Sequence, residues 1–90
     1  MSIEVKISPI LAKYTNNHQA TEVNGSTVGE CLDHLVKQFP DLKKVILDKN
    51  GRLHRYLDVY VNGENAYPEE LAKPVKNGDK LHIVMLIAGG

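Results

Sequence analysis

The chain has 90 residues, the size of one small domain, and its eleven Lys and Arg residues balance eleven Asp and Glu residues. Nucleic-acid-binding proteins usually carry a basic excess, which is missing here. The longest apolar run, residues 83–88, is too short to cross a bilayer, and the first residues lack the apolar core of a signal peptide. A single cysteine excludes an internal disulfide. We therefore expect a cytoplasmic protein with no nucleic-acid partner and no membrane partner.

The N-terminal residues predict a strand hairpin. Ile3, Val5 and Ile7 alternate with polar residues, which is the period of a half-buried strand. Pro9 ends this strand, because proline has no N–H for the ladder. A second strand is predicted over residues 18–23, between asparagine- and glycine-rich turns.

A helix follows the hairpin. Thr27 and Glu30 have the spacing of a capping box, in which each side chain satisfies the exposed N–H of the other residue. Pro40 ends the helix. The apolar positions between these signals recur at helical spacing and predict one buried face: Val28, Cys31, Leu32, Leu35, Val36 and Phe39.

The middle of the chain is less regular. Residues 41–55 predict irregular or partly helical structure, with a turn at 49–51. Residues 56–61 alternate and predict a strand whose apolar residues share one face.

Turn signals divide the last third of the chain. Asn62-Gly63 is a strong turn signal, and residues 64–76 predict mostly loop with at most one helical turn, because they contain two prolines. After a turn at 77–79, residues 81–87 are rich in β-branched and aliphatic side chains and predict the last strand.

This order of elements predicts an α+β fold. One helix cannot cover two sheet faces, so we expect a mixed sheet of four to five strands with one main helix packed across one face. The last strand can lie parallel to the first because a long crossover separates them. That arrangement is the β-grasp (ubiquitin-like) fold, predicted here as a single domain over 1–90 with a flexible C-terminal tail at 88–90.

The final residues, Ala88, Gly89 and Gly90, follow the predicted strand directly. Glycine has no Cβ, so such a tip can pass through a narrow channel and leaves the terminal carbonyl carbon unhindered. A free carboxylate is a poor acyl donor, and activation as an acyl-adenylate would let a sulfur nucleophile or an amine attack it. The sequence therefore predicts that the carboxylate of Gly90 is the reactive group.

The sequence resembles the ThiS/MoaD family of sulfur carriers over essentially its whole length. The residues that carry the resemblance are the terminal segment 86–90, the turn segment 76–81 and the segment 60–64. The segment 51–62 most resembles the CysO-like branch, which carries sulfur for cysteine biosynthesis. The last ten residues also resemble the ubiquitin tail, with Leu86 and Ala88 where ubiquitin has arginines.

The resemblance implies a carrier that is a substrate and not an enzyme. Its partners would be a ubiquitin-activating-type adenylating enzyme, a sulfur donor (sulfide or a persulfide enzyme) and a downstream sulfur-accepting synthase. ATP would bind to the adenylating enzyme, and the chain itself would hold no cofactor and no metal. Gly89 and Gly90 would form the adenylated, sulfur-carrying terminus. The expected partner-binding residues are His82, Val84, Leu86, Ile87, Ala88 and Tyr60.

Other candidate residues have simpler interpretations. Cys31 lies on the predicted apolar face of the helix, which indicates a buried structural thiol. The four histidines lack metal-ligand spacing. Arg52, His54 and Arg55 are open to two interpretations, a basic spot for an acidic partner surface or a solvated loop.

Two alternative functions stay open. A protein modifier would share the activation step and join Gly90 to lysines. A plain interaction domain would not need Gly90 at all.

Overall fold

Five strands form one mixed sheet in the computed structural model, which describes residues 2–85. β1 (Ser2–Ile7) pairs antiparallel with β2 (Ala20–Asn24). β5 (Lys80–Met85) lies parallel to β1 and antiparallel to β3 (Leu57–Val61). With the short β4 (Glu64–Asn65) beside β3, the strand order is β2-β1-β5-β3-β4. The β-grasp prediction, with the last strand parallel to the first, is confirmed.

The main helix, α1 (Val28–Gln38), covers one face of this sheet. Its apolar residues and the inward-facing residues of β1 and β5 belong to the same buried core. Leu35 on α1, Val5 on β1 and Leu81 on β5 are all completely buried in it. The predicted helix face is therefore confirmed, except that Phe39 lies just past the helix and is only half-buried.

The remaining helical pieces are short. α2 (Lys43–Ile46) is a single turn. Tight 3-10 turns occupy Pro9–Thr15, Pro40–Leu42 and Glu70–Ala72. None of the helices within residues 2–85 combines the length and the apolar character that a membrane span requires.

Two strand predictions need correction. The second strand begins at Ala20 and not at His18, because Thr15 Oγ1 donates to the His18 carbonyl oxygen at 2.7 Å and holds His18 in a turn. The segment 64–76 contains β4, which was predicted as loop. Asn62 and Gly63 both have positive φ, 52° and 86°, so the chain reverses tightly enough for Glu64 to pair with Val61.

The capping box is confirmed in one half only. Thr27 Oγ1 accepts a hydrogen bond from the Glu30 N–H at 3.1 Å, as predicted. The Glu30 carboxylate does not return to the Thr27 N–H. It accepts instead from the N–H and the hydroxyl of Ser26, each at 2.8 Å, because Ser26 offers two donors to the same oxygen. These bonds from Ser26 lower the pKa of Glu30 below its ordinary value.

A polar network fixes the beginning of β5 against the end of β3. Asn62 Oδ1 accepts from the Lys80 N–H at 2.9 Å, and Asn62 Nδ2 donates to Asp79 Oδ1 at 2.9 Å. Asp79 Oδ2 accepts from the Lys76 N–H at 2.9 Å, and Asp79 is only 8% exposed. The pKa of Asp79 is lowered below its ordinary 3.8, first by the Asn62 bond and then by the Lys76 bond. The two predicted turns, Asn62-Gly63 and 77–79, therefore act together to set the register of β5.

The lowered pKa of Asp79 predicts a pH-dependent contribution to stability. This contribution is present above pH 3.8, the ordinary Asp value, and is lost as the pH falls through the lower pKa of the folded state. In Asp79→Asn the free energy of unfolding should be lower than in wild type at neutral pH. The difference should shrink as the pH falls below about 4. Urea unfolding followed by circular dichroism across this range measures both curves.

Asn62→Ala is the companion variant, because it removes the largest cause of the shift and keeps the carboxylate. Its stability should fall less steeply with acid than that of wild type. Parallel curves for wild type and Asp79→Asn would contradict the role given to this carboxylate.

Candidate functional site

β5 lies in the middle of the sheet, with β1 on one side and β3 on the other. Ile83 pairs with Ile7 of β1 and Val59 of β3, so the strand is held on both edges. Met85, at the end of β5, lies opposite Leu57. The predicted reactive terminus and its approach lie outside the described residues: Leu86, Ile87, Ala88, Gly89 and Gly90. The structure thus describes β5, the strand that precedes this segment in the sequence.

The sheet face opposite α1 carries a row of polar and aromatic side chains. Alternation along β5 buries Leu81 and Ile83 against the helix and turns His82 to the other face. In the sheet register, His82 lies between Lys6 of β1 and Tyr60 of β3. Lys6 and His82 are exposed, and Tyr60 is half-buried.

Val84 lies further along the same face, opposite Asp58 of β3. Val84 is half-buried, whereas His82, two residues earlier on the same face, is exposed. Three of the predicted partner-binding residues therefore share one face of the sheet, with His82 and Val84 on β5 and Tyr60 beside His82 on β3. The other three, 86–88, lie outside the described residues, so partner binding stays a prediction for the whole set.

The charges on this outer face have mixed signs. Glu4 pairs in register with Lys80, and Glu22 lies opposite Glu4 on β2. Within residues 2–85, no group of three or more His, Cys, Asp and Glu side chains has the arrangement that a metal ion needs. The chemistry available here is that of a largely polar binding surface that includes the half-buried Val84.

Cys31 lies on α1 and is completely buried. Burial raises the pKa of its thiol, and the neighbouring Glu30 carboxylate raises it further. Since the thiolate is the reactive form of cysteine, this thiol is poorly suited to carry sulfur. The predicted structural interpretation of Cys31 agrees with its burial.

The described histidines take part in separate local contacts. His34 Nδ1 accepts from the Asn24 N–H at 2.8 Å. The ring of His18 lies 5.8 Å from that of Phe39, and the ring of His54 stacks on Tyr56 at 4.7 Å. Apart from His82 on the outer face, these rings support turns and loops.

The burial of Cys31 predicts slow labelling of the folded protein. With Ellman's reagent, native wild-type protein should react slowly, and protein unfolded in urea should release one equivalent of thionitrobenzoate quickly. Rapid reaction of the native thiol would contradict the burial and reopen a role for Cys31 in sulfur chemistry. Cys31→Ala provides the zero-signal control.

Comparison with known proteins connects this geometry to a family. The ThiS family model matches residues 7–90. Small archaeal modifier protein 1 of Haloferax volcanii is 34% identical over 70 residues, which are 77% of each chain. A protein of Archaeoglobus fulgidus that carries a sulfur-carrier assignment is 43% identical over 51 residues, which are 56% of this chain and 57% of that protein. The match thus spans little more than half the length of that relative.

The same relationship is visible in three dimensions. A chain in the crystal structure of the Amycolatopsis orientalis BexX/CysO complex superposes with a TM-score of 0.88 at 36% sequence identity. The superposition covers 98% of this chain and 99% of that one. The predicted resemblance to the ThiS/MoaD group is therefore confirmed. The chain belongs to the ThiS family, whose relatives found here are small β-grasp sulfur carriers and ubiquitin-like modifiers.

Proposed function

We propose that the chain carries sulfur as a thiocarboxylate on Gly90, after a partner enzyme has adenylated the Gly90 carboxylate. The observation that supports this most strongly is the extent of the family match, which runs from residue 7 through Gly90 and so includes the Gly89-Gly90 pair. The chain is then a protein substrate, and the catalytic groups and ATP belong to its partners.

The position of β5 supports this use of the terminus. The strand is paired on both edges up to Met85, which lies opposite Leu57. The five residues that follow Met85 in the sequence can span at most about 17 Å when extended. In the proposed mechanism, this segment reaches into the partner's active site while the folded domain stays on the partner's surface.

The proposed chemistry has two steps. The Gly90 carboxylate attacks the α-phosphorus of ATP, which forms an acyl-adenylate and releases pyrophosphate. Hydrosulfide then attacks the acyl carbon, AMP leaves with the bonding electron pair, and the thiocarboxylate remains. If a persulfide attacks instead, an acyl disulfide forms, and a thiol reductant must cleave its S–S bond to release the same thiocarboxylate.

The proposal assigns the partner contacts to the outer face of the sheet. His82, Val84 and Tyr60 would contact the adenylating enzyme beside the entrance that receives Leu86, Ile87 and Ala88. An apolar side chain with polar neighbours matches the general arrangement of a protein interface, which has an apolar centre and a polar rim. A sulfur donor and a sulfur-accepting synthase would use the same terminus in turn.

A protein modifier is the second candidate function. It is favoured by the relative named small archaeal modifier protein 1, which is 34% identical over 77% of this chain. The activation step would be the same. A lysine amine would then attack the acyl carbon, AMP would leave, and an amide bond to the target protein would form. An interaction domain would use neither step.

Deletion of Gly90 tests the shared activation step. The chain lacking Gly90 should give no ATP–pyrophosphate exchange with an adenylating enzyme that is active on wild type, because the acceptor carboxylate then ends one residue short. Circular dichroism should show that the truncated chain still folds. Equal exchange with both chains would contradict the requirement for Gly90 in the activation step.

Val84→Asp tests the outer face as the surface that meets the adenylating enzyme. A charge at this half-buried position should weaken binding at least tenfold, which is about 1.4 kcal/mol, because it must be desolvated in the interface. Steady-state adenylation at varied chain concentration measures the effect.

Ala72→Asp is the matched control for Val84→Asp. It makes the same kind of change at an exposed position of the turn Glu70–Ala72, which contacts α1 on the other side of the sheet. Adenylation of this control should stay within twofold of wild type. An unchanged rate for folded Val84→Asp would remove the outer face from the contact.

A further inference from the structure

Positive charge is concentrated in one segment of this neutral chain, residues 43–55, called here the basic loop. It contains five basic residues and one acidic residue, a formal charge of +4, so the remaining residues together carry −4. All five cations are exposed: Lys43, Lys44, Lys49, Arg52 and Arg55. Net neutrality therefore conceals a charged patch, which can attract an oppositely charged surface.

The basic loop is held in place by the fold. Ile46 is completely buried in the core, and Leu47 and Leu53 form a bridge across the loop. The His54 N–H donates to the Ile46 carbonyl oxygen at 3.1 Å, and the His54 Nε2 lies 3.1 Å from the Lys44 carbonyl oxygen. The cations are thus attached to an ordered backbone, which lowers the entropy cost of binding to them.

The one acid in the basic loop is used by the loop's own turn. Asp48 Oδ1 accepts from the Arg52 N–H at 3.0 Å and the Asn50 N–H at 2.8 Å. The bond from Arg52 is the main cause of a lowered pKa for Asp48. Among residues 2–85, the ion pairs are Lys37–Asp33 and Lys73–Glu69, and none involves a cation of the basic loop. These cations have no salt-bridge partner in the described part of the chain.

Several of these cations surround one cleft. Its volume is about 460 Å³, and its lining includes a single carboxylate. The lining residues are Lys43, Lys44, Leu47, Asp48, Lys49 and His54. An acidic side chain entering this cleft would meet three lysines and one carboxylate in its lining.

The basic loop lies beside the end of β5. His54, which lines the cleft, stacks on Tyr56 at 4.7 Å between ring centroids, and Tyr56 is 43% exposed. Tyr56 directly precedes Leu57, the residue opposite Met85. A protein that takes up the segment after Met85 would meet the domain at the end of β5 that lies beside this cluster. The opposite end of β5 is remote from it, because β3 and β5 run antiparallel.

We propose that the basic loop docks onto an acidic surface of the adenylating enzyme, at the rim of the channel that receives the Gly89-Gly90 terminus. The inference rests on the proposed function for the identity of the partner. The loop would speed the encounter through long-range attraction and orient the domain so that the terminus faces the channel. The catalytic step itself would not involve these residues.

The test compares two double charge reversals. Lys43→Glu/Lys44→Glu changes the cleft, and Lys73→Glu/Lys76→Glu makes the same change of charge just before Lys80, at the far end of β5. The adenylating enzyme from the organism of origin is immobilised, and its association with each chain is measured by surface plasmon resonance at about 50 mM and about 400 mM NaCl. The cleft variant should associate about tenfold more slowly at low salt. This difference should largely disappear at high salt, and the control should match wild type within about twofold.

The outcomes separate this inference from the proposed function. Wild-type rates for the cleft variant, equal loss in both variants, or no binding of wild type to the enzyme would each overturn the docking surface. If a single-stranded DNA oligonucleotide binds through Lys43 and Lys44 while association with the enzyme stays unchanged, the inference is also overturned. Charge-dependent association without any adenylation of Gly90 would support the docking surface and refute the proposed function.

Discussion

Burial of the inner side chains of β5 against α1 is the interaction on which the rest of the structure depends. Leu81 and Ile83 are at most 1% exposed, and complete burial of such a side chain contributes roughly 1.5–3 kcal/mol. The strand is also paired along both edges, with β1 and with β3. A parallel neighbour requires a crossover, and α1 supplies it while covering the same face. The described part of the chain therefore ends on a strand that is held firmly in the sheet. Such a strand is a suitable base for the proposed reactive terminus.

The fold was largely predictable because its signals are local. The alternation of Ile3, Val5 and Ile7 and the spacing of Thr27 and Glu30 each depend on neighbouring residues, and the structure confirms both elements. The short β4 was not predictable, because its two residues carry no pattern of their own and pair only after the Asn62-Gly63 turn brings them back. The bond from Ser26 to the Glu30 carboxylate was also not predictable. Ser26 and Thr27 both have an N–H near this carboxylate, and the backbone geometry decides which of them donates.

Some parts of the candidate site could be predicted from the sequence, and others could not. Its proposed reactive residue, Gly90, was predicted from its position in the sequence and from the family resemblance. The segments 60–64 and 76–81 also carried that resemblance. In the structure, however, Asn62 and Asp79 of these segments have a structural role, because they fix the start of β5. The basic loop was visible only as a few charged residues. Its proximity to Met85 follows from the antiparallel pairing of Leu57 with Met85, which residue composition does not reveal.

The central claim, that Gly90 carries sulfur, is tested most directly by the intact mass of the chain. Purified protein is incubated with ATP, the adenylating enzyme and sulfide, alongside a chain that lacks Gly90. The account predicts a mass gain equal to the replacement of one oxygen by one sulfur in the full chain and no gain in the truncated one. An unchanged mass with an enzyme shown to be active, or the same gain in both chains, would contradict it.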